Sequence, residues 1–265
     1  MAVERDPLAH WPDRTRLTDD TGRTLLVYSP GESTRGGRPL ADGVWRPDDV
    51  RLEDAVAASS QRLGGYAVST PDPELAVSWQ RAGADLLRHA HSMTHDLHQV
   101  AEPDPVDVAI HPLTPAQVAR HARRLGEINA AAYPPGHPDH HNDTLDAALA
   151  EMGAISRGEA LGPMLPASRV ATHAGAIVGA VFIVDRPGSA PEGGPWVLDV
   201  FRDPGSPLRG VGRALLLAAL HSAKRSALPS MTLVVSHGNE GARRLYASVG
   251  FVDRDESWTL ALPAQ

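Results

Sequence analysis

The 265-residue sequence contains no cysteine. That removes disulfides, thiolate zinc sites and any cysteine nucleophile, so no acyl group can be carried on a cysteine sulfur. Long hydrophobic runs are missing too: nothing approaches the ~20 apolar residues that cross a bilayer. The opening MAVERDPLAHWPDRTRLTDD has no apolar signal core. There is no excess of basic charge either. Lys and Arg number 25 against 32 Asp and Glu, a net charge of −7, which is unsuited to displacing counterions from nucleic acid. The expectation is a soluble cytoplasmic protein with no nucleic-acid or membrane partner.

What is abundant is turn chemistry, with 24 Gly and 23 Pro. The most informative stretch is 196–220. An apolar strand (196–201) leads through a Pro/Gly turn into Leu208-Arg209-Gly210-Val211-Gly212-Arg213, which opens directly into an Ala/Leu helix. The first N–H groups of a helix lack intrahelical partners and carry the positive end of its dipole. Glycines there let a phosphate approach the backbone, so this loop reads as an anion site.

Along the chain, 1–22 is polar and expected to be loosely ordered. Strands are expected at 23–29 and 66–69, helices at 48–63 and 74–82, a loop at 31–43 and an extended segment at 84–97. The run Glu102-Pro103-Asp104-Pro105 resists helix and sheet and reads as a linker. It suggests an N-terminal subdomain (1–100), a linker (101–105) and a C-terminal domain (106–265). Beyond it come a strand (106–110), a helix opened by Thr114-Pro115 and running to about Ala132, a His-rich loop and a helix at 144–152. A hairpin at 169–184 precedes the glycine-loop unit, and strand 231–235, helix 239–249 and an extended segment at 253–262 follow it. The C-terminal domain is thus mixed α/β.

An internal echo accompanies this order. A shift of 167 residues lays Val68-Ser69 on Val235-Ser236, Asp72 on Asn239, Trp79 on Tyr246 and Gly83 on Gly250. This suggests a duplicated half whose first copy lacks the glycine loop.

Residues 106–262 resemble the GNAT superfamily of N-acetyltransferases. Its acetyl-CoA motif is matched by Leu198-Asp199-Val200 followed by Pro207-Leu208-Arg209-Gly210-Val211-Gly212-Arg213-Ala214. Its second motif is matched by Asn239, Ala242, Leu245, Tyr246, Gly250 and Phe251. Pro207 stands where Gln or Arg is usual, and the approach from Val200 to Gly210 is about two residues longer than usual. The resemblance implies an acyl-CoA N-acyltransferase fold and acetyl-CoA as cosubstrate. The N-terminal part would then be a degenerate GNAT half. Leu198, Asp199, Val200, the segment from Leu208 to Ala214 and Asn239 would hold the coenzyme, with backbone N–H groups on its pyrophosphate. Asn239 is also read as a helix N-cap.

The implied reaction is direct attack of a primary amine on the thioester, with a small-molecule acceptor expected and a monomer or homodimer as the working form. A protein amine acceptor and a non-catalytic acyl-CoA sensor are the alternatives. An aliphatic amine with a pKa of ~10 must lose a proton, and the thiolate benefits from a donor. Tyr246 stands where the family often places that donor. The base is not assigned: strand alternation turns Asp199 away from Leu198 and Val200, which reads as a structural partner for a neighbouring helix or loop, and Glu127, His173 and His237 are candidates with none preferred. Glu127, late in the helix opened by Thr114-Pro115, is expected at the acceptor pocket with Tyr133 and His137, which lie in a region that also carries Asp139, His140, His141 and Asp143. The loop lacks regular metal-ligand spacing, so no metal is assigned. The basic run 120–124 reads as a solvated helix face.

Overall fold

The computed structural model describes residues 14–35, 37–103, 105–141, 144–188, 190 and 193–264, and for 31–35 it describes the backbone alone. Residues 1–13, Asp104 of the expected linker and Asp143 of the His-rich loop lie outside the described residues. The chain forms two compact units, Met1–His91 with Asp255–Gln265, and Ser92–Arg254.

The first unit carries β1 (Thr15–Thr18), β2 (Thr24–Arg35), β3 (Arg38–Trp45), α1 (Leu52–Arg62), β4 (Ala67–Thr70) and α2 (Pro73–Arg81). It also holds the first part of β5 (Asp85–His95) and the last part of β11 (Val252–Ala261). Its ladder runs β1–β2–β3–β4–β11, antiparallel except for β3–β4. The sequence starts α2 firmly. Asp72 accepts from the N–H groups of Glu74 and Leu75 at 2.9 and 3.1 Å, and Pro73 supplies a preset φ at the first helical position. Trp79 is fully buried among Leu26, Val44, Leu75 and Leu260, and its indole N–H donates to Ser59 Oγ of α1 at 2.7 Å.

The second unit holds the end of β5, then β6 (Ala109–Pro112), α3 (Pro115–Ala132), α4 (Leu145–Arg157), β7 (Arg169–His173) and β8 (Ala176–Arg186). These are followed by β9 (Gly194–Arg202), α5 (Val211–Arg225), β10 (Met231–Ser236), α6 (Glu240–Ser248) and the start of β11. β6, β7, β8 and β9 pair antiparallel in sequence order, and β10 joins β9 in parallel. One core lies on the α5 side of the sheet (Val181, Val197, Leu215, Leu233, Phe251). The other lies on the α3–α4 side (Leu125, Ile128, Met152, Phe182, Phe201). α3 opens with a full capping box, Thr114 bonded reciprocally with Gln117.

Three expectations differ from the structure. Segment 31–43 is not a loop: β2 runs to Arg35 and β3 starts at Arg38. The ladder absorbs its Gly and Pro residues through register shifts, notably between Pro30 and Thr34. The N-terminal segment contains an edge strand, β1, which is only four residues long.

The division of the chain also falls elsewhere than 101–105. β5 begins in the first unit and ends in the second, where Met93 and Leu97 enter the core and Thr94 Oγ1 lies 3.0 Å from Thr232 Oγ1. β11 begins in the second unit and ends in the first, pairing Trp258 with Thr70 and Leu260 with Val68. β5 and β11 are thus each divided between the two units, a division that no local composition marks.

Candidate active site

The site is built from an irregularity in β9. Against β8, Asp199 pairs with Phe182 and Val197 with Ile183, so Leu198 is an extra residue on the β9 side. Such a bulge places two consecutive side chains on one face. Leu198 packs into the α3–α4 core, Asp199 bonds Asn129 of α3 and Tyr133 just after it, and Val200 returns to the α5 side. The alternation expected from sequence, which turned Asp199 away from Leu198, fails here because the bulge inserts one residue into the count. The parallel ladder from β9 to β10 consists of one register pair, Trp196 with Thr232. Beyond Trp196 the strands part, leaving β9 backbone without a β10 partner in the ladder.

Asp199 sits at that parting. Asn129 Nδ2 donates to its Oδ2 at 2.6 Å, and the Tyr133 hydroxyl donates to its Oδ1 at 2.5 Å. Tyr133 also lies 2.9 Å from the Val200 carbonyl oxygen. Burial pushes the Asp199 carboxyl up to about 7, against the lowering effect of Tyr133; Glu151 adds to the rise and His141 opposes it. Tyr133 is held neutral, its pKa raised well above the ordinary phenol value by burial and by Asp199.

His141 and Glu151 form a second pair beside it. His141 Nδ1 lies 2.8 Å from the Asp139 carbonyl oxygen, so it carries a proton, and Nε2 faces Glu151 Oε2 at 3.3 Å. Burial alone would lower the imidazole pKa, but Glu151 and the Asp139 carbonyl outweigh it and raise it to about 9. His141 is therefore an imidazolium at neutral pH. Its ring lies 5.1 Å from that of Tyr133, as does that of His137.

The loop between α3 and α4 is tied to the end of β10. Asp139 Oδ1 accepts from the Ser236 N–H at 3.0 Å, and its Oδ2 accepts from Asn239 Nδ2 at 2.8 Å. Asn239 Oδ1 in turn accepts from the Ala242 N–H at 3.1 Å, capping α6. Both ends of the Asn239 amide are thus engaged by protein groups.

The glycine loop meets its expected geometry at one position in particular. Gly210 is the residue before α5, with φ +78°, and it offers no side-chain cap to the first-turn N–H groups. A Cβ there would stand 3.1 Å from Val106 Cγ1. Gly212 differs: its Cβ would lie 3.5 Å from Leu245 Cδ2, an ordinary contact, so this glycine borders α6 packing. Val211 and Ala214 are buried, Leu208 packs on the α5-side core and Arg209 is exposed. The Arg213 guanidinium donates to the Ser248 carbonyl and hydroxyl at 2.9 and 3.1 Å, so it binds the C-terminal end of α6.

Tyr246 packs against Phe251 at 6.0 Å between ring centroids. Its hydroxyl has no hydrogen-bond partner among the described residues. Burial, with Asp199 and Asp139 nearby, drives its pKa far up, so it holds its proton. A retained proton with no protein acceptor is what a donor to a developing anion needs.

The structure therefore gathers Asp199, Tyr133, His137 and His141 on one side and brings Tyr246 within electrostatic reach of Asp199. Glu127 is not part of that group: its carboxylate pairs with Arg123 Nε at 3.1 Å on the α3 surface. His173 Nδ1 bonds the Asp107 carbonyl at 2.8 Å at the β6–β7 edge. In the basic run, Arg124 donates to Asp203 Oδ2 at 2.5 Å and is not merely solvated. Sequence reasoning missed Asn129 and Glu151 altogether. The signal for Asn129 was its place four residues after Leu125 on the apolar face of α3, where a buried amide requires a polar partner.

Residues 122–251 match the model of the acetyltransferase (GNAT) family. A mycothiol acetyltransferase from Nocardioides sp. is 29% identical over 94% of this chain and 85% of its own length. A GCN5-related N-acetyltransferase from Sphaerobacter thermophilus superposes with a TM-score of 0.63 at 14% identity, covering 96% of this chain and 82% of that one. A tandem GNAT protein from the clavulanic acid biosynthesis pathway gives 0.58 at 15% identity, over 96% and 85% of the two chains. These solved structures share the fold.

Proposed function

We propose that this chain, whose residues 122–251 match the acetyltransferase (GNAT) family, moves an acetyl group from acetyl-CoA to the primary amine of a small molecule. The observation that carries the reading is the bulged, parted β9. It aims a carboxylate with a pKa of about 7 and leaves unpaired strand backbone beside it. The residues fit the coenzyme. An extended, amide-bearing pantetheine arm matches β9 backbone beyond Trp196, and a pyrophosphate matches the uncapped start of α5 at Gly210.

In this reading the amine nitrogen attacks the thioester carbonyl carbon, a C–N bond forms and the C–S bond breaks. The proton leaving nitrogen goes to Asp199, directly or through one water, and the Tyr246 hydroxyl gives its proton to the departing sulfur. Asn129 and Tyr133 hold the Asp199 carboxylate in place. A carboxylate with a pKa near the working pH balances availability against proton affinity. His141, paired with Glu151, keeps a positive charge near Asp199 and favours its ionised form.

The first unit is proposed to be a degenerate copy of the same half-fold that does not take up coenzyme. Where the second unit has Gly210 before its helix, the first has Arg51 before α1, with Glu53 and Asp54 in the first turn and Glu53 paired to Arg51. Carboxylates at that position repel a pyrophosphate.

The test is release of free thiol from acetyl-CoA across a panel of small amines that includes the acceptor of mycothiol acetyltransferase, with product masses checked. A mass gain of one acetyl group on at least one small amine supports the reading. Turnover only on protein amines overturns the choice of acceptor, and coenzyme binding without turnover on any amine overturns catalysis.

A further inference from the structure

A cavity lined by both charged and apolar side chains lies in the Ser92–Arg254 unit, away from the acetyl-transfer geometry. It has a volume of about 420 Å³ and sits between the β6–β7 edge and the last two turns of α5. α5 spans fifteen residues, so at 1.5 Å per residue this end lies ~20 Å from Gly210. The lining includes Arg169, Arg225, His221, Glu102 and Ile110.

Arg169 is an unusual side chain to find here. It opens β7 opposite Pro112 and is only 7% exposed. Its Nη1 donates to the carbonyl oxygens of Pro166 and Ser168, both at 2.7 Å, which fixes the guanidinium plane. Its other nitrogens have no hydrogen-bond partner among the described residues, yet they are not sealed in protein. Arg225, the last residue of α5, is exposed and has no carboxylate partner among the described residues. The two cations are close enough for Arg225, together with burial, to lower the Arg169 pKa.

Two like charges facing one cavity, one of them desolvated, carry an electrostatic cost that no ion pair among the described residues offsets. An oxyanion would offset it through charge-assisted hydrogen bonds to two guanidinium forks. His221, one turn before Arg225, uses Nε2 to hold the Ala101 carbonyl at 3.1 Å, which positions the 101–103 segment along the cavity. Glu102 lines the same space without an ion pair among the described residues. Glu102 against Arg169 and Arg225 leaves these three side chains net positive by one charge.

We propose that this cavity binds a small organic oxyanion, a phosphate or carboxylate compound, with Arg169 and Arg225 as its anchors and Glu102 as a charge that limits affinity. A purely structural role, in which Arg169 clamps its turn and Arg225 complements the α5 dipole, predicts no saturable ligand.

The experiment is an amide-resolved NMR titration of the full chain with inorganic phosphate and, separately, citrate. Site resolution matters because the start of α5 is itself a phosphate candidate. Saturable shifts are expected at Ala101, Glu102 and residues 221–226, with half-saturation in the millimolar range, on the order of −4 kcal/mol. Arg225→Glu should weaken that binding by about tenfold or more, while Glu102→Gln should tighten it two- to threefold, charge effects of about the size expected near a surface. Both variants should keep wild-type thiol release. Saturation by phosphate alone assigns a phosphate ester, by citrate alone a carboxylate, and by both a general oxyanion site. Shifts confined to 208–214, or unchanged affinity in Arg225→Glu, would overturn the proposal.

Discussion

Replacing Asp199 by Asn tests the proposed chemistry most sharply, because its effects on rate and on stability point in opposite directions. The substitution is nearly isosteric. Asn129 Nδ2 can still donate to the new amide oxygen, and the Tyr133 hydroxyl keeps the Val200 carbonyl as an acceptor 2.9 Å away. The proton-accepting capacity is lost, and general-base catalysis contributes about 10²–10⁴-fold. The expected loss in kcat is therefore at least ~100-fold. The wild-type pH–rate profile should rise through about pH 7 as Asp199 ionises, and that limb should vanish in the variant.

Stability follows the other sign. A carboxyl whose folded pKa is raised from 3.8 to about 7 binds protons more tightly in the folded state. It costs nothing below pH 3.8, costs progressively more up to pH 7, and stays at that level above. The limit is about 4 kcal/mol. Asp199→Asn removes that cost, so thermal unfolding of the variant at pH 8 should occur at an equal or higher temperature than in the wild type. The assays are steady-state thiol release from pH 5.5 to 9 and unfolding scans at pH 5 and 8. A variant within about threefold of wild-type kcat, or one that keeps the limb near pH 7, would refute the assignment of Asp199 as base.

Tyr246→Phe should lower kcat by ~10–100-fold while leaving the limb near pH 7 in place, because the hydroxyl donates to the leaving group and does not titrate in that range; an unchanged kcat argues against the donor role. Gly210→Val should weaken acetyl-CoA binding by more than ~10-fold, since a β-branched residue at φ +78° is strained and its Cβ meets Val106 at 3.1 Å. Gly212→Ala, with 3.5 Å to Leu245, should change it by less than about threefold, and calorimetry on both variants checks the contrast. His141→Gln should destabilise the protein most at low pH. The wild-type imidazole, raised from 6.5 to about 9, contributes stability fully below pH 6.5 and loses it as pH rises through 9. After a discount for its partial exposure this amounts to ~1–2 kcal/mol, and unfolding scans at pH 6 and 9.5 should show the two proteins converging.

The helices and the order of elements beyond residue 106 were legible because their signals are local. Thr114-Pro115 caps α3, Asp72-Pro73 caps α2, and Asn239 caps α6. Gly210 was legible for the same reason, since one residue must carry its positive φ. The crossing of β5 and β11 between units was not legible, because residues 92–95 and 255–261 are ordinary strand sequence and only pairing distinguishes their partners. Asp199 was hidden by something smaller. A period of two assumes one residue per ladder step, and a single unpaired residue, Leu198, reverses the face of everything between it and the next irregularity. The residues that make Asp199 useful lie 66–70 positions away in sequence, at Asn129 and Tyr133. No spacing rule connects them to β9. The buried amide of Asn129 does, by chemistry: a fully buried amide demands an acceptor, and β9 offers one carboxylate, so the demand of Asn129 and the face of Asp199 determine each other.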